Sequence, residues 1–299
     1  MASKWRRLFG VRGGARQAPA VQVPNPRASS LPYISGDTFR SIATFIVEKN
    51  EVLGKFDNGT NVIFCQLDGP SVATLLDQAR FGQLKNQITK STKLVLHNGD
   101  ETLGDTTVQE LKRHFGRIFS VNQVGSQSGI QSLPIGLENS FLKKNGKLEY
   151  YLPELQSPTP IEQRRTFVMS SFHVSTNPKV REPVANIMRE SRHGHHDEFF
   201  KAGEYRDVVR KTKFVISPPG NGNDCHRTWE AIYLGAVPVV LEGFLDEGLV
   251  RSLPILAVSD YQDFCALPDH DLNSIYSELK QRSTARAFAS YWLNKVLGD

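Results

Sequence analysis

Cysteine is scarce in this 299-residue chain: only Cys65, Cys225 and Cys265 occur. Their number is odd and their separations are wide, which fits neither a disulfide framework nor zinc-ligand spacing. Reduced thiols in a cytoplasmic setting are expected. No run of about 18 apolar residues is present, so no transmembrane helix is expected. The basic N-terminus is not followed by an apolar segment, which argues against a secretory signal. Acidic residues are missing from positions 1–30, where Lys4, Arg6, Arg7, Arg12, Arg16 and Arg27 stand. The whole chain has 36 basic and 31 acidic residues. The excess charge therefore belongs to this leader, and the body offers no basic face for nucleic acid. The leader reads first as a solvated, disordered tail, with weak peripheral contact with anionic lipid as the alternative, each basic residue adding about 1 kcal/mol near such a surface. Two glycine signatures are also missing: the phosphate loop G-x-x-x-x-G-K-[ST] and the dinucleotide fingerprint G-x-G-x-x-G. Their absence argues against a P-loop NTPase and an NAD-dependent epimerase. No lysine has a context that marks a pyridoxal-phosphate phosphorylase.

What is present is an alternation of apolar strands and amphipathic helices. Residues 12–32 are rich in Gly, Pro, Ala and Ser and close the basic leader, 1–32. Strands are expected at 61–69, 92–102 and 117–123, and helices at 71–87 and 107–116. The stretch 143–163, with Asn-Gly and three prolines, reads as an interdomain linker. The rhythm restarts with strands at 164–172, 213–217, 236–242 and 253–260 and helices at 178–191 and 225–235. Strands separated by helices predict an α/β fold of two doubly wound domains with parallel sheets, 33–155 and 156–299. In such sheets ligands bind beyond the carboxyl ends of the strands.

The most informative stretch is KFVISPPGNGNDCHRTWEAIYLGAVPVVL, residues 213–241. A strand leads into a Pro/Gly loop whose glycines permit positive φ and close approach of a ligand. Asp224 is the expected N-cap of the next helix. That helix's N-terminus favours phosphate. Arg227 in its first turn adds a charge-assisted donor, and Glu230 can accept from vicinal hydroxyls. Gly235 is the expected C′ residue.

This stretch resembles the donor-binding segment of exostosin-type glycosyltransferases, in which a strand, a Pro/Gly loop, an Arg, a Glu early in a helix, a small-residue turn and PVV follow one another. LVLHNGDE (94–101), LPIGLEN (133–139), SSFHVSTNPKVREPV (170–184) and LPILAVSDYQDF (253–264) are similar to further segments of that family. The resemblance implies a GT-B-like architecture: two Rossmann-like domains facing an interdomain cleft, with the donor in the second. It implies a glycosyltransferase moving a sugar from a nucleotide-diphosphate sugar to a hydroxyl of a glycan or glycoconjugate. Arg227 and Arg181 would hold the diphosphate and Glu230 the ribose. Thr176, Asn177, Ser217, Gly220, Asn221 and Gly222 are the further donor-binding positions, with Ser171 beside them. The last helices, 271–297, would cross back onto the first domain. Members of the family are longer and membrane-anchored, and glycan polymerisation is not implied.

Both stereochemical outcomes stay open: inverting transfer, which the resemblance implies, needs a general base, whereas retaining transfer would not. Asp100, Glu101 and Glu138 follow first-domain strands, and Asp100 and Glu138 are the leading candidates. His97, inside an apolar strand, reads as a core residue. RHGHHDE (192–198) matches no metal-ligand spacing, so no metal is expected and no cofactor beyond the nucleotide-sugar. Cys225 reads as structural, with His226 beside it expected to point elsewhere. The alternative function is a non-catalytic nucleotide- or glycan-binding module of the same fold.

Overall fold

The computed structural model describes residues 27–55, 61–124, 129–197 and 200–298. The leader up to residue 26 lies outside them. The α/β class is as expected, and the chain builds two sheets. The first contains β1 (Phe45–Glu48), β2 (Glu51–Gly54), β3 (Val62–Gln66), β4 (Lys93–His97), β5 (Arg117–Ser120) and β6 (Ile130–Ser132), in the order β2-β1-β3-β4-β5-β6. The second contains β7 (Thr166–Met169), β8 (Thr212–Ile216), β9 (Val237–Leu241) and β10 (Leu256–Val258), all parallel and in chain order. The central strands are near-continuous apolar runs because both faces are covered: every residue of β4 is buried.

These mixed and parallel sheets are compatible with a Rossmann-like fold, but two expectations need correction. The first sheet is not all parallel, because β1 and β2 form an antiparallel hairpin. Its two-residue turn, Lys49-Asn50, has φ of 52° and 62°. Both residues are left-handed, as a type I′ turn requires, yet the pair lacks the glycine that usually announces one. Neither sheet is doubly wound in strand order. The second runs sequentially across its width, and the first does so through its parallel strands β1, β3, β4, β5 and β6, with β2 turned back onto the outer edge of β1. Neither has an order reversal among its parallel strands, where ligands commonly bind.

The helices are α1 (Gly36–Arg40), α2 (Gly69–Arg80), α3 (Asp105–His114), α4 (Leu152–Gln156), α5 (Pro178–Glu190), α6 (Ala202–Arg210), α7 (His226–Tyr233), α8 (Glu247–Ser252), α9 (Tyr261–Ala266), α10 (Asp269–Leu279) and α11 (Ala289–Leu297). α2 stops short of the expected 87. Its last turn frays where the amide of Gly82 bonds back to Asp77 and Gln78, and the Gln78 side chain takes the amide of Gln83 at 3.1 Å.

The expected linker, 143–163, is packed structure. Tyr151 is fully buried in it. Glu154 pairs with Arg164 at 2.6 Å, with the two side chains only 5% and 3% exposed. Arg164 also donates to the carbonyls of Leu234 at 3.0 Å and Thr212 at 3.2 Å. This buried pair fixes the C-terminal end of α7. Gly235, at φ +79°, is the expected C′ residue. A Cβ there would stand 2.1 Å from an Arg164 guanidinium nitrogen and 2.7 Å from the Glu154 carboxylate. Gly235→Ala is therefore expected to cost at least about 2 kcal/mol through left-handed strain and displacement of the pair. Chemical denaturation reads this directly. An unchanged midpoint would show that the pair yields freely.

The C-terminus does cross back. The amide of Ala289 donates to Pro32 at 3.0 Å, and Phe288 bridges to Tyr33. The Gly298 carbonyl accepts from Lys93 at 2.6 Å and Arg117 at 2.9 Å, both on the first sheet. Trp292 is buried, and its Nε1 donates to the Arg286 carbonyl at 2.7 Å.

Candidate functional site

Carboxyl-end loops of the two sheets meet. Asp224, in the loop after β8, is central to the junction. Its Oδ2 accepts the Ile135 amide at 2.8 Å, and both carboxylate oxygens accept from Trp229 Nε1 at 2.9 Å. Its own amide donates to Asn122 Oδ1 at 2.9 Å. Asn122 follows β5 in a left-handed conformation and also donates to the Gly99 carbonyl. Asp224 is thus no N-cap. The N-cap position is Cys225, whose side chain makes no capping bond. Burial pushes the Asp224 pKa up to about 6.

Beside this junction lies an open cavity of about 320 Å³. Its walls include Thr176, Arg181, Gly220, Asn221, Gly222, Arg227 and Glu230 from the second half of the chain and Asp100, Ile135 and Asn145 from the first. A smaller space of about 140 Å³ adjoins it and shares Asn145, His173, Arg227 and Glu230.

Arg181 and Arg227 give the cavity its charge. Their guanidinium carbons stand 5.7 and 5.8 Å from the centre of the Phe172 ring, within cation–π range. Neither makes an ion pair with a described residue. The buried Arg181 donates to the carbonyls of Pro219 (2.9 Å), His173 (2.9 Å) and Pro218 (3.4 Å). It clamps the Pro-Pro loop and is no surface residue. Burial, then the charge of Arg227, lowers its pKa to about 10, so it stays cationic at neutral pH. Arg227 is freer: its Nε is buried without a hydrogen-bond partner. Burial works against its charge, but Tyr205, Cys225 and Glu230 outweigh burial and raise its pKa. One turn on, Glu230 is only 7% exposed, and its carboxylate forms no hydrogen bond with a described residue. A cation and an acceptor, one helical turn apart, thus line a cavity with bonding capacity unused. Native interiors rarely leave a buried donor such as the Arg227 Nε unpaired.

No family model matches the chain, and no curated protein matches it either.

The other expected residues separate into those that line the cavity and those that build it. Ser217 is buried below the loop and shares its hydroxyl with Thr228 (2.9 Å) and Cys225 (3.2 Å). Asn177 precedes α5 without capping it, and its Nδ2 ties down the Gly220 carbonyl at 2.8 Å. Gly220 and Gly222 do not have positive φ. Gly222 is needed instead for close approach: a Cβ there would lie 2.8 Å from the Asn122 amide group. Ser171 lines the smaller space.

Among the first-half carboxylates, Asp100 is exposed and lines the cavity that holds Arg227. It also lines a second cavity of about 300 Å³ with Glu138, Asn98 and Asn139. Glu138 accepts the Asn145 amide at 2.8 Å and lines only that second space. Glu101 accepts the Gly69 amide at 3.2 Å. His97 is the core residue expected. Its Nδ1 accepts the Asn98 amide at 2.8 Å, its Nε2 faces the Pro134 carbonyl at 3.2 Å, and burial lowers its pKa to about 4.

His226 points away from Cys225, as expected, but it does so into the site, where it lines both cavities. Its Nδ1 lies 2.7 Å from the Gly136 carbonyl. A carbonyl only accepts, so Nδ1 carries the proton and Nε2 keeps its lone pair. Tyr205, whose buried hydroxyl stands beside Arg227 and supports its charge, is a further residue the sequence did not indicate.

His195 bonds Ser170 at 2.8 Å, and Arg189 pairs with Asp197. No group of three or more His, Cys, Asp or Glu that could hold a metal ion occurs among the described residues. Among them, too, no helix is long and apolar enough to cross a membrane.

Proposed function

We propose that the protein is a GT-B-type glycosyltransferase of exostosin-like kind. It would transfer a sugar from a nucleotide-diphosphate donor to a hydroxyl of a glycan or glycoconjugate. The observation that carries this reading is the cavity where the sheets' carboxyl ends meet. Arg227, whose buried Nε has no hydrogen-bond partner, stands with Glu230 on one wall, and Asp100 and His226 line the same space. The diphosphate would lie over the N-terminus of α7, on Arg227, with Arg181 supplying charge from beneath the loop. Glu230 would accept from ribose hydroxyls. The acceptor would enter through the second cavity, which shares Asp100 and His226 with the first. His226 Nε2 is the stronger candidate for the base, because its tautomer is fixed and its lone pair is free. Asp100 is the second candidate.

A thermal-shift panel of nucleoside diphosphates tests the donor half. A ligand at about 100 times its dissociation constant stabilises by about 2.7 kcal/mol. The absence of a shift with every diphosphate would overturn the proposal. For the chemical half, His226→Gln is expected to lower kcat by about 10²–10⁴-fold with diphosphate binding retained. If no nucleotide-sugar is turned over although diphosphates bind, the chain is a binding module.

A further inference from the structure

We propose that the rim of the second cavity is a docking surface for anionic membrane. Two adjacent apolar side chains, Phe141 and Leu142, stand 46% and 45% exposed on a short 3₁₀ turn, Ser140–Leu142. Both line the cavity mouth. Lys143 and Lys144 follow directly and are exposed, and neither makes an ion pair with a described residue. Lys49, at the hairpin turn, is exposed on the same cavity. Large apolar side chains ringed by unpaired lysines suit the boundary between lipid headgroups and acyl chains. A second observation points the same way. The described chain begins at this rim: Arg27 stacks on the Phe141 ring at 4.5 Å, and Ser140 donates to the Ala28 carbonyl at 3.4 Å. Positions 1–26 carry five basic residues and no acid, and they join the molecule here. Exposed Glu51 offsets Lys49 beside the hairpin turn, which leaves Lys143 and Lys144 as the main cationic pair of the rim. Asp100 and Glu138 lie in the walls of the cavity, and Glu149 pairs with Lys147 at 3.8 Å.

Docking this way would turn the cavity mouth toward the bilayer. On the glycosyl-transfer reading above, that favours a membrane-borne acceptor. Vesicle binding needs no catalysis, so the two readings fail separately.

The test is co-sedimentation of the full chain with vesicles at low salt. Phosphatidylcholine vesicles with about one-third phosphatidylserine are expected to bind at least about tenfold more protein than phosphatidylcholine alone. Lys143→Glu with Lys144→Glu, and separately Phe141→Ser with Leu142→Ser, should each reduce binding at least about tenfold with the melting temperature unchanged. If both double variants bind as the wild type does, the rim takes no part and the proposal falls. It falls also if the wild type ignores anionic lipid. A third overturning result is that the apolar pair proves to hold two copies of the chain together, with light scattering showing a dimer that Phe141→Ser with Leu142→Ser dissociates.

Discussion

Arg227→Ala is expected to weaken diphosphate binding by 30-fold to several thousand-fold while leaving the protein folded. That range corresponds to about 2–5 kcal/mol for removing one partner of a desolvated, hydrogen-bonded charge pair. In the free protein this side chain has modest structural work: its Nε has no partner, and it lies against the Phe172 ring and beside the Tyr205 hydroxyl. The melting temperature should therefore move by less than about 4 °C, the equivalent of roughly 1 kcal/mol in a domain of moderate size. Arg181→Ala provides the contrast. It removes donors from three backbone carbonyls, so it should lower stability as well as affinity. Arg227→Lys keeps the charge but loses the planar fork, and should fall between wild type and alanine. Titration calorimetry with the diphosphate that gives the largest thermal shift checks all three. Unchanged affinity in Arg227→Ala would remove this residue from the donor site.

The contrast between these two arginines shows how far the sequence could be read. Residues 213–241 were legible as strand, loop, helix and strand, because apolar runs, Pro/Gly punctuation and the C′ glycine are local signals. The structure starts β8 at Thr212 and ends α7 at Tyr233. What each polar residue in the loop does depends on groups far along the chain. Asp224 has the sequence position of an N-cap, but Ile135 and Trp229 supply its donors. The side chain of His226 is set by the Gly136 carbonyl, ninety positions away. The loop glycines accommodate Asn122 and Arg181, not a left-handed turn. The β1–β2 hairpin was missed for a local reason, since Lys49-Asn50 takes up the turn geometry without glycine. Strand order was not legible either. Alternation of strands and helices predicts parallel neighbours, not the sequence in which they are laid down across a sheet.

Asp224→Ala is expected to destabilise the fold by about 3–5 kcal/mol. Ala would leave the fully buried Trp229 Nε1–H and the Ile135 amide without their acceptor, at about 1–3 kcal/mol each. It would also loosen the loop against Asn122. The same carboxylate should give stability a particular pH dependence. Burial raises its folded pKa from 3.8 to about 6. Between those values the folded protein keeps a proton that the unfolded chain has released. This contribution to stability therefore falls as pH rises from about 4 to about 6 and is flat above. The full change is roughly 3 kcal/mol. Asp224→Asn retains one acceptor oxygen and cannot ionise. It should remove this slope and cost less than alanine. Urea unfolding of the wild type and both variants across that range measures the effect. If Asp224→Asn keeps the wild-type slope, the titrating group lies elsewhere. The pH dependence would isolate the charge of Asp224, whereas the alanine cost reports mainly its hydrogen bonds. Those bonds join the carboxyl-end loops of both sheets, so loosening them should also weaken diphosphate binding, although Asp224 is placed to hold the site together and not to touch the ligand.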